Sequence, residues 1–262
     1  MLLVIDSGNT NCVFAIHDGE AWRGEWRAST DSRRTADEYA VWLTQLMALR
    51  GLSPRDVTAS VMANVVPASD YSLQRLCREY FGGAPVTVGH PGVHLGVPVR
   101  IDRPEQVGAD RLVNALAAFE RYGGPTAVVD FGTATTFDVI GGDGAYEGGV
   151  IAPGIHSSME ALYMAAAKLP RVAVEKPSRV IGKATVPAMQ SGVFWGYIGL
   201  IEGIIVRIDG EYGKALTVVA TGGLAPLFDA ETRAIHHVDP DLTLRGLLRI
   251  YEVNTKHAGK GE

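Results

Sequence analysis

The chain has 262 residues, of which 47% are hydrophobic and 20% charged, and its formal net charge is −5, a composition ordinary for a globular protein. The acidic balance argues against nucleic acid as the main partner, because binding phosphate groups needs a basic surface. The only two cysteines, Cys12 and Cys77, indicate neither a disulfide framework nor a metal site.

The first half of the chain alternates strand patterns with helix patterns. Strands are predicted over 2–6, 12–17, 22–28 and 58–61, and helices over 36–48, 70–81 and 108–121. The segment 92–104 is rich in glycine and proline and has no periodicity, so it predicts a loop. Because Asp6 interrupts the first apolar run, we expect no signal peptide.

The second half begins again after a turn at 122–125. Strands are predicted over 127–130, 136–140, 146–151 and 216–220, and helices over 157–167, 187–208 and 242–253. The longest apolar run, Val193–Ile208, is broken by Glu202 and is too short to span a bilayer, so we expect a cytoplasmic protein with no membrane partner. The predicted helix 187–208 is expected to pack closely against another helix, within or between subunits, because one side of it carries Gly192, Gly196, Gly199 and Gly203.

Two stretches of the chain resemble each other. VIDSGNTNCVFAI at 4–16 and VVDFGTATTFDVI at 128–140 align without a gap at an offset of 124 residues, with identities at 4/128, 6/130, 8/132 and 16/140. Each reads as a strand, a small polar corner and a second strand. The sequence therefore predicts an α/β fold of two duplicated lobes, 1–120 and 121–262, with a cleft between them.

Each repeated corner places an aspartate at a strand end and a glycine two residues later. Glycine lets the backbone approach an anion closely, and the N–H groups of a tight turn form an anion-binding concavity. Hydroxyl and amide donors are added by Thr10, Asn11, Thr133, Thr135 and Thr136. An aspartate suits a phosphate site if a cation bridges carboxylate and phosphate. The alternative is a pair of turns in which the aspartates cap local backbone groups.

A second group of candidate residues, Gly108–Arg111, begins a predicted helix. A helix N-terminus favours anions, so Asp110 is expected to stay ionised, where it could accept a proton from a substrate hydroxyl. Arg111 offers a guanidinium suited to a carboxylate or phosphate. The alternative is a helix-capping aspartate followed by a solvated arginine.

Five motifs in order resemble those of the type III pantothenate kinases. They are DSGNTN at 6–11, VGADR at 107–111, DFGTATTFD at 130–138, EGGVIAPGI at 147–155 and ATGG at 220–223, and they span nearly the whole chain. The resemblance implies the fold of the acetate and sugar kinase/Hsp70/actin superfamily, with two ribonuclease-H-like, actin-like lobes and a nucleotide cleft between them. It also implies ATP-dependent phosphorylation of pantothenate to 4'-phosphopantothenate, the first step of coenzyme A biosynthesis.

The resemblance assigns roles to individual residues. ATP is expected to contact Asp6, Ser7, Gly8, Asn9, Thr10, Asn11, Cys12, Val13 and Thr133. Pantothenate is expected to contact Gly108, Ala109, Asp110, Arg111 and Thr185, the last across a homodimer interface. Asp110 would be the catalytic proton acceptor and Asp130 the ligand of a monovalent cation, K⁺ or NH₄⁺. Asp6 is a further candidate for holding Mg²⁺ through ATP.

Three positions depart from the family pattern. Ile101 stands where relatives often have an aromatic residue, and Arg103 replaces an asparagine, so substrate packing near this loop is expected to differ. Ser7 replaces a usual apolar residue and is expected to point away from the phosphates. Two other functions stay open at this point: a non-catalytic accessory regulator, and a small-molecule kinase or phosphatase of the same superfamily with another acceptor.

Overall fold

The computed structural model of the chain describes residues 1–165 and 169–258. Contacts divide the chain into two compact units. Unit 1 holds Met1–Pro98, Asp102–Ala117 and the C-terminal segment from Leu242, and unit 2 holds Val99–Ile101 and Ala118–Asp241.

Unit 1 is built on a five-stranded sheet with the strand order β3-β2-β1-β4-β5. Its strands are β1 (Leu2–Ser7), β2 (Asn11–His17), β3 (Trp22–Ser29), β4 (Ala59–Asn64) and β5 (Val86–Thr87). Its helices are α1 (Ala36–Ala48), α2 (Asp70–Tyr80), the first part of α3 (Ala109–Tyr122) and the C-terminal helix, which is numbered α7 (Leu242–Ala258). β1 pairs antiparallel with β2 and parallel with β4, and α7 packs against β1 and β4.

Helix α1 has the bounds that the sequence predicts, because both of its ends are encoded locally. Thr35 and Glu38 form a capping box in which each side chain accepts the other's backbone N–H. Gly51, with φ +69°, lies just beyond the C-terminus. The buried face of α1, including Tyr39 and Leu43, packs with Phe14 of β2 in the core of unit 1.

Unit 2 is built on a second five-stranded sheet with the strand order β10-β9-β6-β7-β8. Its strands are β6 (Thr126–Phe131), β7 (Ala134–Ile140), β8 (Tyr146–Pro153), β9 (Thr217–Thr221) and β10 (His237–Val238). Its helices are α4 (Ile155–Ala165), α5 (Thr185–Tyr212) and α6 (Ala225–Asp229). The core of the unit includes Phe131, Phe194 and Phe228. The end of the predicted helix 157–167 lies partly outside the described residues.

Helix α5, at 28 residues, is longer than predicted. In the described part of the chain it is the one helix long and apolar enough to cross a membrane, so the expectation that this segment is too short fails. A single helix of this length and composition is weak evidence for a span. Phe194, Tyr197 and Ile201 on one side of α5 lie in the core of unit 2, as in the central helix of a globular protein.

The two sheets have the same topology, which supports the predicted duplication. In each sheet the first three strands form an antiparallel β-meander. Two further strands then extend the sheet beyond the first strand of the meander, and they run parallel to it. Each meander also has a register shift at the same place, between Ile16 and His17 in β2 and between Val139 and Ile140 in β7. A shared irregularity of this kind is a stronger sign of common origin than sequence identity at apolar positions.

The gapless alignment of the repeats is nevertheless wrong beyond the corner. Ser7 pairs with Cys12 across a turn of four residues, whereas Phe131 pairs with Thr135 across a turn of three. The second turn is one residue shorter, so the offset changes from 124 in the first strand to 123 in the second.

The shorter turn changes which side chains of β2 and β7 correspond. The identity of Ile16 with Ile140 is a coincidence, because Ile16 corresponds to Val139. Phe14 corresponds to Phe137, and both are fully buried. The repeat is therefore better seen in buried aromatic residues than in the identities that the sequence suggested.

The division of the chain differs from the predicted boundary at residue 120 in two respects. The segment from Leu242 belongs to unit 1, because α7 covers β1 and β4. Val99–Ile101 belongs to unit 2, because Val99 forms a bridge with Tyr146 at the start of β8. Both differences arise from contacts between residues distant in sequence, which local patterns do not encode.

Candidate active site

The first corner joins β1 to β2 and carries the motif DSGNTN. Asp6 is half-buried at the end of β1, and Asn9, Thr10 and Asn11 are exposed in the turn. The N–H of Gly8 donates to the carbonyl of Asn11 at 3.0 Å, which closes the turn. The exposed turn leaves its tip accessible to a ligand.

Three side chains of this corner face inward. Ser7, Cys12 and Val13 are at most 9% exposed, so only their backbone groups are available to a ligand. The Ser7 side chain faces the core, as expected for a position that is usually apolar, and its hydroxyl has no hydrogen-bond partner among the described residues. Burial, helped by the charge of Asp6, raises the pKa of the Cys12 thiol to about 12 and keeps it protonated.

Thr30, which follows β3, ties the first turn in place. Its hydroxyl donates to the carbonyl oxygen of Gly8 at 2.6 Å, and its N–H donates to the carbonyl oxygen of Thr10 at 2.9 Å. The sequence patterns did not single out Thr30. The only signal is the polar segment STDSRRT at 29–35, in which no spacing marks one residue.

The second corner joins β6 to β7 in unit 2. Asp130 is half-buried at the end of β6, and Thr133 is exposed in the turn. The N–H of Gly132 donates to the carbonyl of Ala134 at 3.0 Å, and the Ser157 hydroxyl donates to the carbonyl of Thr133 at 3.1 Å. Helix α4 therefore holds this turn in place through a side-chain hydrogen bond, as Thr30 holds the turn of the first corner.

Two glycines from other motifs lie against the second corner. A Cβ on Gly154, in the EGGVIAPGI motif, would overlap the carbonyl oxygen of Thr133. A Cβ on Gly222, in the ATGG motif, would lie 2.6 Å from the carbonyl oxygen of Phe131 and 2.9 Å from Oδ1 of Asp130. Gly222 also has φ +88°, so both space and conformation require glycine there. These two motifs are therefore part of the corner that contains Asp130.

Asp110 lies in the first turn of α3 in unit 1. Its Oδ1 accepts the N–H of Arg111 at 2.8 Å, and a Cβ on Gly108 would lie 2.5 Å from the same oxygen. Burial raises the pKa of Asp110 above its usual value, and the N–H and charge of Arg111 oppose this by less. The expected preference of the helix N-terminus for the ionised form is thus outweighed by burial. The carboxylate is a stronger base than an ordinary aspartate.

Comparisons with known proteins match the sequence of the chain to one family. Residues 2–207 match the sequence profile of the type III pantothenate kinases. The chain is 62% identical to the type III pantothenate kinase of Paramagnetospirillum magneticum over 97% of this chain and 98% of the relative. The chain belongs to the type III pantothenate kinase family. The family and the kinase activity predicted from the five motifs, phosphorylation of pantothenate, are thereby confirmed.

Solved structures show the fold of this type III pantothenate kinase family member to be shared more widely. A Sinorhizobium meliloti protein described as a 2-dehydro-3-deoxygalactonokinase has a TM-score of 0.56 at 13% identity, covering 97% of this chain and 96% of that one. A Campylobacter jejuni protein described as a Baf family transcriptional activator has a TM-score of 0.60 at 20% identity, covering 97% of this chain and 99% of that one. At such identities the likeness concerns the fold alone, and it confirms the predicted α/β class.

Ile101, one of the positions that depart from the pantothenate kinase pattern, belongs to the segment Val99–Ile101 of unit 2, which hydrogen bonds and ion pairs of Arg100 hold against β8. The N–H of Arg100 donates to the carbonyl of Tyr146 at 2.8 Å, and its guanidinium pairs with Glu147 at 3.1 Å and also with Asp143. Ile101 then lies against Gly148, with its Cγ2 3.6 Å from the site of an added Cβ. An altered substrate packing at Ile101 and Arg103 stays a prediction.

The remaining residues predicted from the pantothenate kinase resemblance lie as follows. Thr185 is exposed as the first residue of α5, where Ala184 provides no side-chain cap. Within unit 1 the structure brings Asp6–Val13 together in one turn and Gly108–Arg111 together in another. Within unit 2 it brings Asp130 and Thr133 together with Gly222. No group of three or more His, Cys, Asp or Glu residues that could bind a metal was found among the described residues.

Proposed function

We propose that this protein transfers the γ-phosphoryl group of ATP to the primary hydroxyl of pantothenate, with Asp110 as the proton acceptor. The observation that carries the assignment is the raised pKa of a half-buried carboxylate at a helix start, held by the Arg111 N–H at 2.8 Å. An alcohol is not ionised near neutral pH, so a base must take its proton as the phosphoryl group arrives. Arg111 provides the charge for the pantothenate carboxylate, with Gly108, Ala109 and Thr185 as further contacts.

The phosphates of ATP bind at the two corners, through backbone N–H groups and exposed side chains. In the first corner these are Asp6–Val13, with Ser7, Cys12 and Val13 contributing backbone groups because their side chains are buried. In the second corner the contact is Thr133, which is exposed. Phosphoryl transfer depends mainly on positioning and on screening of charge, so the rigid turns support this role.

A monovalent cation, K⁺ or NH₄⁺, fits the donors at the second corner. The space that a Cβ on Gly222 would fill is bordered by two oxygens, the carboxylate Oδ1 of Asp130 and the carbonyl of Phe131. Such oxygens are the ligands that hard cations prefer. When bound, the cation screens phosphate charge, and Asp130 holds it. Asp6 occupies the matching position of the first repeat and would face Mg²⁺ on ATP.

The protein acts as a homodimer in the cytoplasm. One face of α5 has residues at alternating spacings of four and three that are exposed, or half-buried in the case of Gly203: Gly192, Gly196, Gly199, Gly203, Val206 and Gly210. An added Cβ would meet no described atom within 4 Å at Gly192, Gly196, Gly199 or Gly210. Glycine in a helix interior costs about 1 kcal/mol relative to alanine, and nothing in the described chain requires it there. A second copy of α5 packing closely on this face accounts for it.

One assay tests the reaction against its alternatives. ADP production is measured with and without pantothenate, in K⁺ and in Na⁺, for the wild type and for Asp110→Asn. We expect ADP formation that depends on pantothenate, is faster in K⁺ and is lost in the variant. Without pantothenate-dependent ADP the protein is a regulator or acts on another acceptor. Equal rates of ADP formation in K⁺ and in Na⁺ would reject only the proposed cation-binding role of Asp130.

A further inference from the structure

A buried polar network on β7 has no part in the mechanism described so far. Asp138 is fully buried, and both of its carboxylate oxygens accept hydroxyl groups. The Tyr146 hydroxyl donates to Oδ1 at 2.8 Å, and the Thr136 hydroxyl donates to Oδ2 at 3.0 Å. A carboxylate removed from water is costly even when it is hydrogen-bonded, so the network calls for an explanation.

The strand register places this network beside Asp130. Thr136 pairs directly with Asp130 across β6 and β7, and Asp138 pairs with Val128. Residues directly opposite each other share a face of the sheet, and so do residues two apart on one strand. Asp130 and Asp138 are therefore diagonal neighbours on one face, and the Cα atoms of such residues are usually about 7–8 Å apart. Thr136 lies between them.

The hydroxyl of Thr136 has a single hydrogen, and Asp138 accepts it. The lone pairs of the Thr136 oxygen remain, on the face that it shares with the Asp130 carboxylate. An acceptor oxygen and a carboxylate on one face of the sheet are oxygen ligands of the kind that a hard cation prefers. Gly222 follows Thr221 of β9, which pairs with Asp130, and it leaves a space bordered by Oδ1 of the same carboxylate and by the carbonyl oxygen of Phe131.

The first repeat shows that the hairpin fold does not need this network. With the corrected offset of 123, Thr136 corresponds to Val13 and Asp138 to Ala15. Both residues of β2 are apolar and buried, yet β1 and β2 form the same hairpin with the same register shift. The polar residues are thus specific to the corner that contains Asp130 and absent from the one that contains Asp6.

We propose that Thr136 supplies a second side-chain oxygen to the monovalent cation at Asp130, and that Asp138 is the positioning residue that turns the Thr136 hydrogen away from it. This inference rests on the cation role of Asp130 in the proposed function. Tyr146 fixes the other oxygen of Asp138 and so holds the carboxylate in the orientation that accepts from Thr136. The first corner lacks both groups, and the inference therefore confines the monovalent cation to the second corner.

The test compares cation binding with stability, in the full chain with Mg·ADP. The melting temperature is followed while K⁺ replaces choline, which gives a half-saturating K⁺ concentration without using turnover. Thr136→Val copies the residue of the first repeat and should fold. It should raise that concentration about tenfold, as is typical when a metal-site residue is lost. Thr136→Ser keeps the hydroxyl and should resemble the wild type.

Two further variants separate positioning from simple support of the fold. Asp138→Asn should also raise the half-saturating K⁺ concentration about tenfold, because the Thr136 hydrogen is released from its fixed direction. Tyr146→Phe removes the hydroxyl that holds the other oxygen of Asp138 but keeps both partners of the bond between Thr136 and Asp138, so it should raise that concentration by less than Asp138→Asn does.

The inference is overturned if Thr136→Val leaves the K⁺ dependence of melting unchanged, whatever Asp138→Asn does to the melting temperature. The inference is also overturned if the melting temperature of the wild type does not respond to K⁺. If the same preparation still forms ADP in a pantothenate-dependent way, the proposed kinase reaction is unaffected. The converse result, a K⁺ response altered by Thr136→Val without pantothenate-dependent ADP, supports the cation site and rejects the proposed acceptor.

Discussion

Oxygen Oδ1 of Asp110 lies 2.5 Å from the point that a Cβ on Gly108 would occupy. The glycine therefore leaves the space in which the carboxylate rests against the Arg111 N–H. The oxygen is the far end of a flexible side chain, so an added methyl group would turn the carboxylate aside rather than disrupt the helix. We therefore expect Gly108 to be a positioning residue for Asp110, the proposed proton acceptor.

Gly108→Ala should lower kcat by about 10²-fold, because a displacement of about 1 Å at a reacting group has that order of effect. The melting temperature should change little, since the clash is relieved by rotating one side chain. Steady-state kinetics with pantothenate and thermal melting check both statements. Gly142→Ala is the matched control, because a Cβ there meets nothing within 4 Å. An unchanged kcat would remove the positioning role.

Asp110→Asn should abolish turnover while leaving the protein at least as heat-stable as the wild type at neutral pH. Burial raises the pKa of Asp110 in the folded chain above its unfolded value. Its contribution to stability is thus fully present below the unfolded pKa and is lost as pH rises through the folded pKa. The neutral amide avoids this loss, and loss of a general base lowers kcat by about 10²–10⁴-fold.

Melting curves from acidic to neutral pH, together with kcat, test this prediction. The difference in melting temperature between Asp110→Asn and the wild type should shrink as the pH falls. Asp143→Asn provides a contrast of opposite sign, because the hydrogen bond from Arg100 lowers the pKa of that exposed carboxyl. A variant at Asp110 that melts well below the wild type at neutral pH would contradict the burial argument.

Thr30→Val should raise the KM for ATP about 3- to 10-fold, because one hydrogen bond contributes about 1 kcal/mol. The variant removes the hydroxyl that donates to Gly8 at 2.6 Å and loosens the first turn. ATP saturation curves at fixed pantothenate measure the effect. Thr44→Val, which removes a hydroxyl bonded within α1 at 3.2 Å, is the control and should leave the KM unchanged. Equal shifts in both variants would refute a specific role.

Gly199→Leu should convert the proposed homodimer into monomers, because the new side chain would stand on the α5 face where glycine permits close approach. Leucine favours a helix over glycine by about 1 kcal/mol, so the helix itself is not weakened. Sedimentation equilibrium measures the mass. Glu211→Leu, at an exposed site beside that face near the end of α5, is the control. A wild-type protein that sediments as a monomer would reject the dimer outright.

Local signals predicted most of the fold. Helix α1 was placed to the residue because its capping box and its terminal glycine lie within the segment itself. The strands of both corners were found to within a few residues because their apolar runs end at turn residues. The short strands β5 and β10 were missed, since two residues carry no periodicity and pair only with a distant strand edge.

The motifs of the candidate site could be read from the sequence, but the contacts that hold its two corners together could not. Thr30, Gly154 and Gly222 reach the corners from 20 or more residues away, so no local spacing marks them. The register of β7 was misplaced because the two repeats differ by one residue inside a turn, where sequence similarity is weakest. Burial at Asp110 depends on packing and reversed the expected direction of its pKa.

The placement of α7 in unit 1 has a consequence for synthesis of the chain on the ribosome. β1 and β4 emerge early, but α7, the helix that covers them, is made after unit 2. The strands of unit 2, β6 to β10, are all complete by Val238, before any residue of α7. The usual order, in which the N-terminal part folds first, is therefore expected to reverse. The half of the protein that is translated first is finished last.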